Sequence, residues 1–237
     1  MATAPTTSGT YNFFLSRDDL IGAALRATTR FSAGEPIPSA DLTDCAQALN
    51  IVCKSLAKAG FPLWCVQEYT IPMIQGQAQY NLSTLLGMPR PQAILDAFLR
   101  DTTSNTDVGI TLESRYDYNT LGSKTTQGRV NQVYYNPQLS GATLTVYNVP
   151  ADNNTELHIT VQRQIQDINL ATENPDFPQE AYRMLKWVLA DEIALDYSTP
   201  KDVRAEIAAK ARYFQDNFFD GEQDTASVMF TPSTRTR

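Results

Sequence analysis

Histidine and paired cysteines are nearly missing from this sequence of 237 residues. His158 is the only histidine, and Cys45, Cys53 and Cys65 are an odd number without Cys-x-x-Cys spacing. These residues offer no pair of zinc or iron ligands at metal spacing, so we expect no metal site. Unpaired cysteines are typical of a reducing cytoplasm, and we expect all three to be small buried residues.

Motifs of nucleotide and acyl chemistry are missing as well. Neither GxGxxG nor GxxxxGK[ST] occurs, so no cofactor is expected. A catalytic triad would need His158, which the strand pattern places on a solvated face. Asp191 with Glu192, and Asp117 near Glu113, are nominal carboxylate pairs for glycoside hydrolysis. Because acids on solvated faces explain both pairs more simply, we predict that the protein is not an enzyme.

Clusters of basic residues and long apolar runs are also absent. The chain has 19 Lys and Arg against 26 Asp and Glu, a formal net charge of −7. Proteins that grip DNA neutralise phosphates with grouped cations, so we predict that DNA could pass this protein without being held. No segment approaches the ~20 apolar residues of a membrane span. Residues 1–10 lack the pattern of a signal peptide.

Four helices are predicted, two near each end of the sequence. Their apolar residues recur at spacings of three and four. The predicted helices are 16–31, 39–56, 178–197 and 199–218. Ser16 with Asp19, and Thr199 with Pro200, are the clearest start signals.

Residues 63–165 change to a period of two, which is typical of strands. Strands are predicted at 65–71, 93–100, 109–112, 130–135, 143–147 and 157–161. The turn-forming sequence at 151–154 predicts that the last two strands form an antiparallel pair. His158 belongs to the face of the last strand that should meet water.

This order of elements predicts an α+β fold. We expect a discontinuous bundle of about four helices with an inserted antiparallel β domain and an extended C-terminal tail. The predicted divisions are an N-terminal arm at 1–15, a helical bundle domain at 16–62 and 176–219, a β-rich domain at 63–175, and a tail at 220–237. The tail is polar apart from one apolar island, which is typical of a segment that folds on binding a partner.

Tyrosines crowd into the β-rich domain. They are Tyr116, Tyr118, Tyr134, Tyr135 and Tyr147. Core packing and a protein interface both explain this enrichment, and sugar or single-strand binding stays open.

Several short stretches, in this order, resemble the head-to-tail adaptor family of short-tailed bacteriophages, the tail tubular protein A-like or head completion class. Leu49-Asn50 is followed by Gly60 and Leu63-Trp64. The later stretches are 115–118, 134–137 ahead of 144–150, and 178–181 leading into Leu185 and Leu189-Ala190. Together they extend from about Ser16 to Phe219.

The resemblance implies a structural virion protein made in the host cytoplasm. By family habit ~twelve copies form a ring that binds the portal protein on one side and the tail nozzle protein on the other. DNA would pass through the ring during ejection. The C-terminal extension would embrace the portal, with apolar anchors and charged contacts at its end. The implied portal-binding residues are Phe218, Val228, Met229, Phe230, Arg235 and Arg237.

Two alternatives stay open. A neck or connector protein of a long-tailed phage would share the helical part but normally lacks so large a β insertion. A glycan-binding or glycan-degrading virion protein would need a cleft lined by carboxylates and aromatic residues. The polar stretch at 113–128 is longer than a tight hairpin needs, and the sequence assigns it no partner.

Overall fold

The computed structural model describes residues 8–59 and 62–221. These residues divide between two compact units. The helical unit contains the described residues up to Leu63 and from Gln166 onward, and the β unit is Trp64–Ile165. The predicted α+β class is confirmed.

Long helices make up most of the helical unit. The α-helices of the described residues are α1 (Arg17–Ala27), α2 (Ser39–Ala59), α3 (Leu82–Leu86), α4 (Arg115–Thr120), α5 (Tyr182–Ile193) and α6 (Lys201–Gly221). The four predicted helices correspond to α1, α2, α5 and α6. The short helices α3 and α4 lie in the β unit and were not predicted from the sequence.

Helix α1 begins as predicted but ends early. The Ser16 hydroxyl accepts from the Asp19 backbone N–H at 3.2 Å and donates to the Asp19 carboxylate at 2.6 Å, so Ser16 is the N-cap. The predicted end near Phe31 is wrong. Thr28 turns its hydroxyl back to the Leu25 carbonyl, and Thr29 adopts a left-handed φ of 63°, so the helix stops at Ala27.

Helix α5 is shorter than predicted at both ends. Pro178 keeps an extended backbone, and a 3₁₀-helix at Gln179–Ala181 precedes α5. Pro178 is therefore the residue before the helical turn instead of its first member. At the other end, Ser198 adopts a left-handed φ of 52°, and the chain leaves the helix after Ile193.

Helix α5 is the centre of the helical unit. It contacts α1, α2 and α6, and six of its residues are buried. Those residues are Tyr182, Met184, Leu185, Leu189, Ala190 and Ile193. The core of this unit therefore forms around α5, as the two apolar stripes of this helix indicate.

The segment 166–175 lies in the helical unit, although it was predicted to belong to the β-rich domain. The Asn50 side chain binds the backbone of Ile168, donating to its carbonyl at 2.9 Å and accepting from its N–H at 3.0 Å. The Arg17 N–H donates to the Glu173 carbonyl at 2.7 Å. These bonds to α1 and α2 hold a segment without regular secondary structure.

Two four-stranded sheets build the β unit. Its strands are β1 (Val66–Pro72), β2 (Gln79–Asn81), β3 (Ala93–Asp101), β4 (Thr106–Gly109), β5 (Thr111–Glu113), β6 (Gln127–Gly128), β7 (Gln132–Gln138), β8 (Gly141–Tyr147), β9 (Val149–Pro150) and β10 (Thr155–Gln162). The first sheet has the order β1-β10-β3-β4, and the second has the order β2-β8-β7-β5. Strands β6 and β9 form a separate pair.

Most of the predicted strands are present, but the strand predicted at 109–112 is wrong because β4 ends at Gly109 and β5 begins at Thr111 in the other sheet. One predicted pairing is also wrong. Strand β8 pairs with β2 and β7, whereas β10 pairs with β1 and β3. The residues between them do not form a hairpin because Val149 and Pro150 are buried and pair in parallel with β6. The chain thus crosses from one sheet to the other. Strand β5 also pairs in parallel with β7, so the β unit is only mainly antiparallel.

The two sheets share one hydrophobic core. Leu99, Leu157 and Ile159 of the first sheet belong to the same buried cluster as Leu144 and Val146 of the second. All three cysteines are buried, as predicted, and none of them forms a disulfide. Burial raises the pKa of Cys53 to about 12, which keeps its thiol protonated at neutral pH.

Candidate interaction surfaces

Only one of the six predicted portal-binding residues lies within the described residues. Phe218 is half-buried in the last turns of α6, edge-on to Phe219 with ring centroids 5.5 Å apart. The other five lie outside the described residues. They are Val228, Met229, Phe230, Arg235 and Arg237. The set as a whole stays a prediction.

The apolar face predicted for α6 is covered only in its first half. Ile207 and Ala211 are buried, whereas Phe214 and Phe218 are half-buried and Tyr213 is exposed. The helix therefore carries aromatic surface toward its C-terminal end.

Cations and aromatic rings alternate on a surface formed by α5 and α6, which we call the basic face. The Arg183 guanidinium lies 4.1 Å from the centroid of the Phe214 ring. Two ammonium groups lie near the Trp187 ring, that of Lys186 at 4.8 Å and that of Lys210 at 4.6 Å from its centroid. The rings hold these cations in place without neutralising their charge.

An acidic cleft of about 470 Å³ lies between the start of α2 and the end of α5. Its lining includes Asp41, Asp44, Cys45, Asp196 and Tyr197. The Tyr197 hydroxyl donates to the Asp41 carboxylate at 3.0 Å and lies 3.5 Å from the Cys45 sulfur. Burial raises the pKa of Tyr197 first of all, and its bonds to Cys45 and Asp41 raise it further.

The outer face of the first sheet carries a polar cluster around His158. The predicted solvation of this histidine is wrong, because its exposed fraction is only 7 %. Its Nδ1 lies 2.8 Å from a Glu68 carboxylate oxygen, and its Nε2 lies 3.9 Å from Glu156. The Phe98 ring stacks on the imidazole at 4.6 Å. Neighbouring strands β1 and β3 thus cover a residue that the sequence pattern alone places in water.

The same cluster extends to the edge of the sheet. Arg100 lies 5.5 Å from the centroid of Phe98 and donates to both oxygens of Asp107 at 2.7 and 2.6 Å. This bidentate pair lowers the pKa of Asp107. The cluster therefore fixes polar side chains across four adjacent strands.

The polar stretch at 113–128 is held by a stack of four side chains. The rings of Tyr118 and Tyr134 stack at 5.1 Å, with Lys124 at 4.9 Å on one ring and Arg115 at 6.0 Å on the other. Each tyrosine ring therefore contacts the other ring and one cation, and all of these contacts lie within the chain. This packing favours a structural role for the two tyrosines over sugar stacking.

Helix α4 explains why this stretch is longer than a hairpin needs. The Ser114 hydroxyl accepts from the Asp117 N–H at 3.2 Å and donates to the Asp117 carboxylate at 2.6 Å. Lys124 donates to the Leu121 carbonyl at 3.0 Å just beyond the other end of the helix. Ser114 is thus the N-cap of α4, and the Asp117 carboxylate accepts a hydrogen bond from its hydroxyl. Tyr116 is left 76 % exposed.

Neither the basic face nor the acidic cleft was predicted as a site. Arg183, Lys186 and Trp187 are spaced three and four apart, so the shared face on α5 was readable from the sequence. The cleft was not readable, because Asp44 and Asp196 are distant in sequence and meet only when α2 packs on α5.

The described part of the chain contains neither a cluster of metal ligands nor a helix that could span a membrane. No group of three or more histidine, cysteine or acidic side chains there could hold a metal ion. In 8–59 and 62–221, no helix is both long and apolar enough to cross a membrane.

These features define a two-unit α+β protein with charged and aromatic clusters on its surfaces. The family model described as SU10 adaptor protein matches residues 15–236, and the chain belongs to this family. The match confirms the resemblance to phage head-to-tail adaptors. The chain is therefore an adaptor among phage structural proteins and a component of the virion. Comparison with curated proteins found no significant match.

Proposed function

We propose that copies of this chain form a ring that joins the portal to the tail nozzle of a short-tailed phage. The observation that carries the proposal is the adaptor family match over residues 15–236, nearly the whole chain. The large β unit, Trp64–Ile165, favours a short-tailed phage over the neck of a long-tailed one. The ring has ~twelve copies and closed symmetry.

A nonsense codon in the gene for this chain tests the proposal in the phage itself. Infection should yield DNA-filled heads without tails, because nothing would join the portal to the nozzle. Purified chain added to these heads should restore tail attachment and infectivity. Fully tailed, infectious particles from the mutant phage would contradict the proposed role.

The C-terminal tail is proposed to be the portal-binding arm. Two features support this proposal. The tail is polar with one apolar island, and α6 carries aromatic surface at its C-terminal end. Deleting residues 220–237 should lower the amount of portal complex by about tenfold or more, because aromatic anchors dominate such contacts. Velocity sedimentation with portal rings measures the loss.

A matched control keeps the chain length constant. A chain whose 222–237 sequence is shuffled retains composition and charge but separates Met229 from Phe230. It should bind portal as poorly as the deletion variant. Full assembly on portal by the deletion variant would overturn the assignment of this arm.

The chain is proposed to have no enzymatic activity. DNA is proposed to pass through the ring without being held. The net charge of −7 supports the free passage of DNA, because an acidic wall repels phosphates. Filter binding of duplex DNA to the assembled ring should show weak retention at 50 mM to 200 mM salt. Tight retention that falls steeply with salt would contradict this.

A further inference from the structure

Two cations of the basic face form no salt bridge within the described residues. Arg183 and Lys186 contact aromatic rings, and among residues 8–59 and 62–221 neither forms a salt bridge. Lys210 differs, because it pairs with Glu206 on its own helix. In a protein of net charge −7, a face with two uncompensated cations attracts an acidic partner.

The acidic cleft has the opposite imbalance. Asp44 and Asp196 are exposed and form no salt bridge with any residue that the structure describes. Burial raises the pKa of the Cys45 thiol, and the charges of Asp41, Asp44 and Asp196 raise it further. The cleft therefore has a negative field, and no salt bridge within the described residues offsets the charge of Asp44 or Asp196.

The two surfaces lie on different sides of the helical unit. The basic face is formed by α5 with α6, and the acidic cleft by α5 with α2. Helix α5 contacts both α2 and α6, whereas α2 and α6 have no comparable contact with each other in the described residues. A subunit with complementary surfaces on different sides has what a head-to-tail contact between identical copies requires.

We infer that the basic face of one copy docks onto the acidic cleft of the next copy around the ring. The inference rests on the proposed ring and names the surfaces by which its subunits meet. Arg183 and Lys186 supply the positive side, and Asp44 and Asp196 the negative side. The occupant of the cleft is thus a second copy of this chain.

Two charge-reversal variants separate the two sides of the contact. The first, Arg183→Glu with Lys186→Glu, reverses the basic face. The second, Asp44→Lys with Asp196→Lys, reverses the cleft and leaves the Asp41–Tyr197 hydrogen bond intact. Each variant alone, mixed with portal rings, should form about tenfold less ring complex than the unmodified chain, because like charges meet at every contact.

An equimolar mixture of the two variants should restore assembly. In alternating order, each glutamate face meets a lysine cleft, and each native basic face meets a native acidic cleft. Native mass spectrometry should then show rings that contain equal numbers of both variants. A chain with all four substitutions should form rings by itself.

A control pair, Asp191→Lys with Asp216→Lys, reverses two exposed charges that do not line the cleft. It should assemble like the unmodified chain, and circular dichroism should show that every variant is folded. The inference would be overturned if either single-surface variant formed normal rings, or if the mixture failed to assemble. Neither result would count against the proposed ring itself. Failure of the unmodified chain to form a ring on portal would overturn both proposals.

Discussion

Replacing Leu189 with alanine is expected to lower the free energy of unfolding of the helical unit by about 3–5 kcal/mol. Leu189 is completely buried in α5, the helix on which α1, α2 and α6 pack. Truncation removes apolar contacts with that core and leaves a cavity. Because domains of this size are stable by roughly 5–15 kcal/mol, the loss would expose much of the unit to transient unfolding.

Hydrogen exchange measured by mass spectrometry can follow each unit separately. Peptides of α1, α2 and α5 should exchange much faster in the variant, whereas peptides from 93–101 and 155–162 of the β unit should change little. Leu195→Ala is the matched control, because Leu195 lies just beyond α5 and is 66 % exposed. Equal acceleration by both substitutions would contradict the assigned core.

Replacing Asn50 with alanine is expected to cost about 1–3 kcal/mol of stability in the same unit. The Asn50 amide satisfies both the N–H and the carbonyl of Ile168, at 3.0 and 2.9 Å. Alanine leaves both backbone groups without these partners. The effect should concentrate in the 166–175 segment, because Asn50 joins that segment to α2.

Exchange rates of peptides that span 166–175 measure this effect. Gln47→Ala is the control, since Gln47 lies one turn earlier on α2 and is exposed. The control should leave the segment unchanged. Unaltered protection of 166–175 in Asn50→Ala would show that other contacts hold this segment.

Local signals in the sequence were enough to place the four long helices. The Ser16 cap, the Thr199-Pro200 start signal and the apolar spacing act within a few residues, so a single sequence contains them. The helix ends were less predictable. At Thr29 and Ser198 a non-glycine residue adopts a positive φ, and no local pattern indicates this.

Strand positions were readable, but strand partners were not. The period of two predicts where β8 and β10 lie, yet both alternate in the same way and could pair with any suitable strand. Their separation into two sheets follows from the burial of Val149 and Pro150 between them. Val149 and Pro150 pair with β6, which is two residues long and has no sequence signature.

The surfaces depended even more on long-range packing. His158 is buried because Phe98 and Glu68 come from strands on either side of β10. The acidic cleft joins residues about 150 positions apart, which no spacing rule connects. In contrast, the basic face follows helical periodicity on α5 and could have been predicted.

Native mass determination of the purified chain, alone and after mixing with portal rings, tests the adaptor role most directly. The account predicts a chain that converts on portal to a complex of fixed stoichiometry, about twelve copies per portal ring. A chain that shows no association with portal or with itself under any condition would contradict the account.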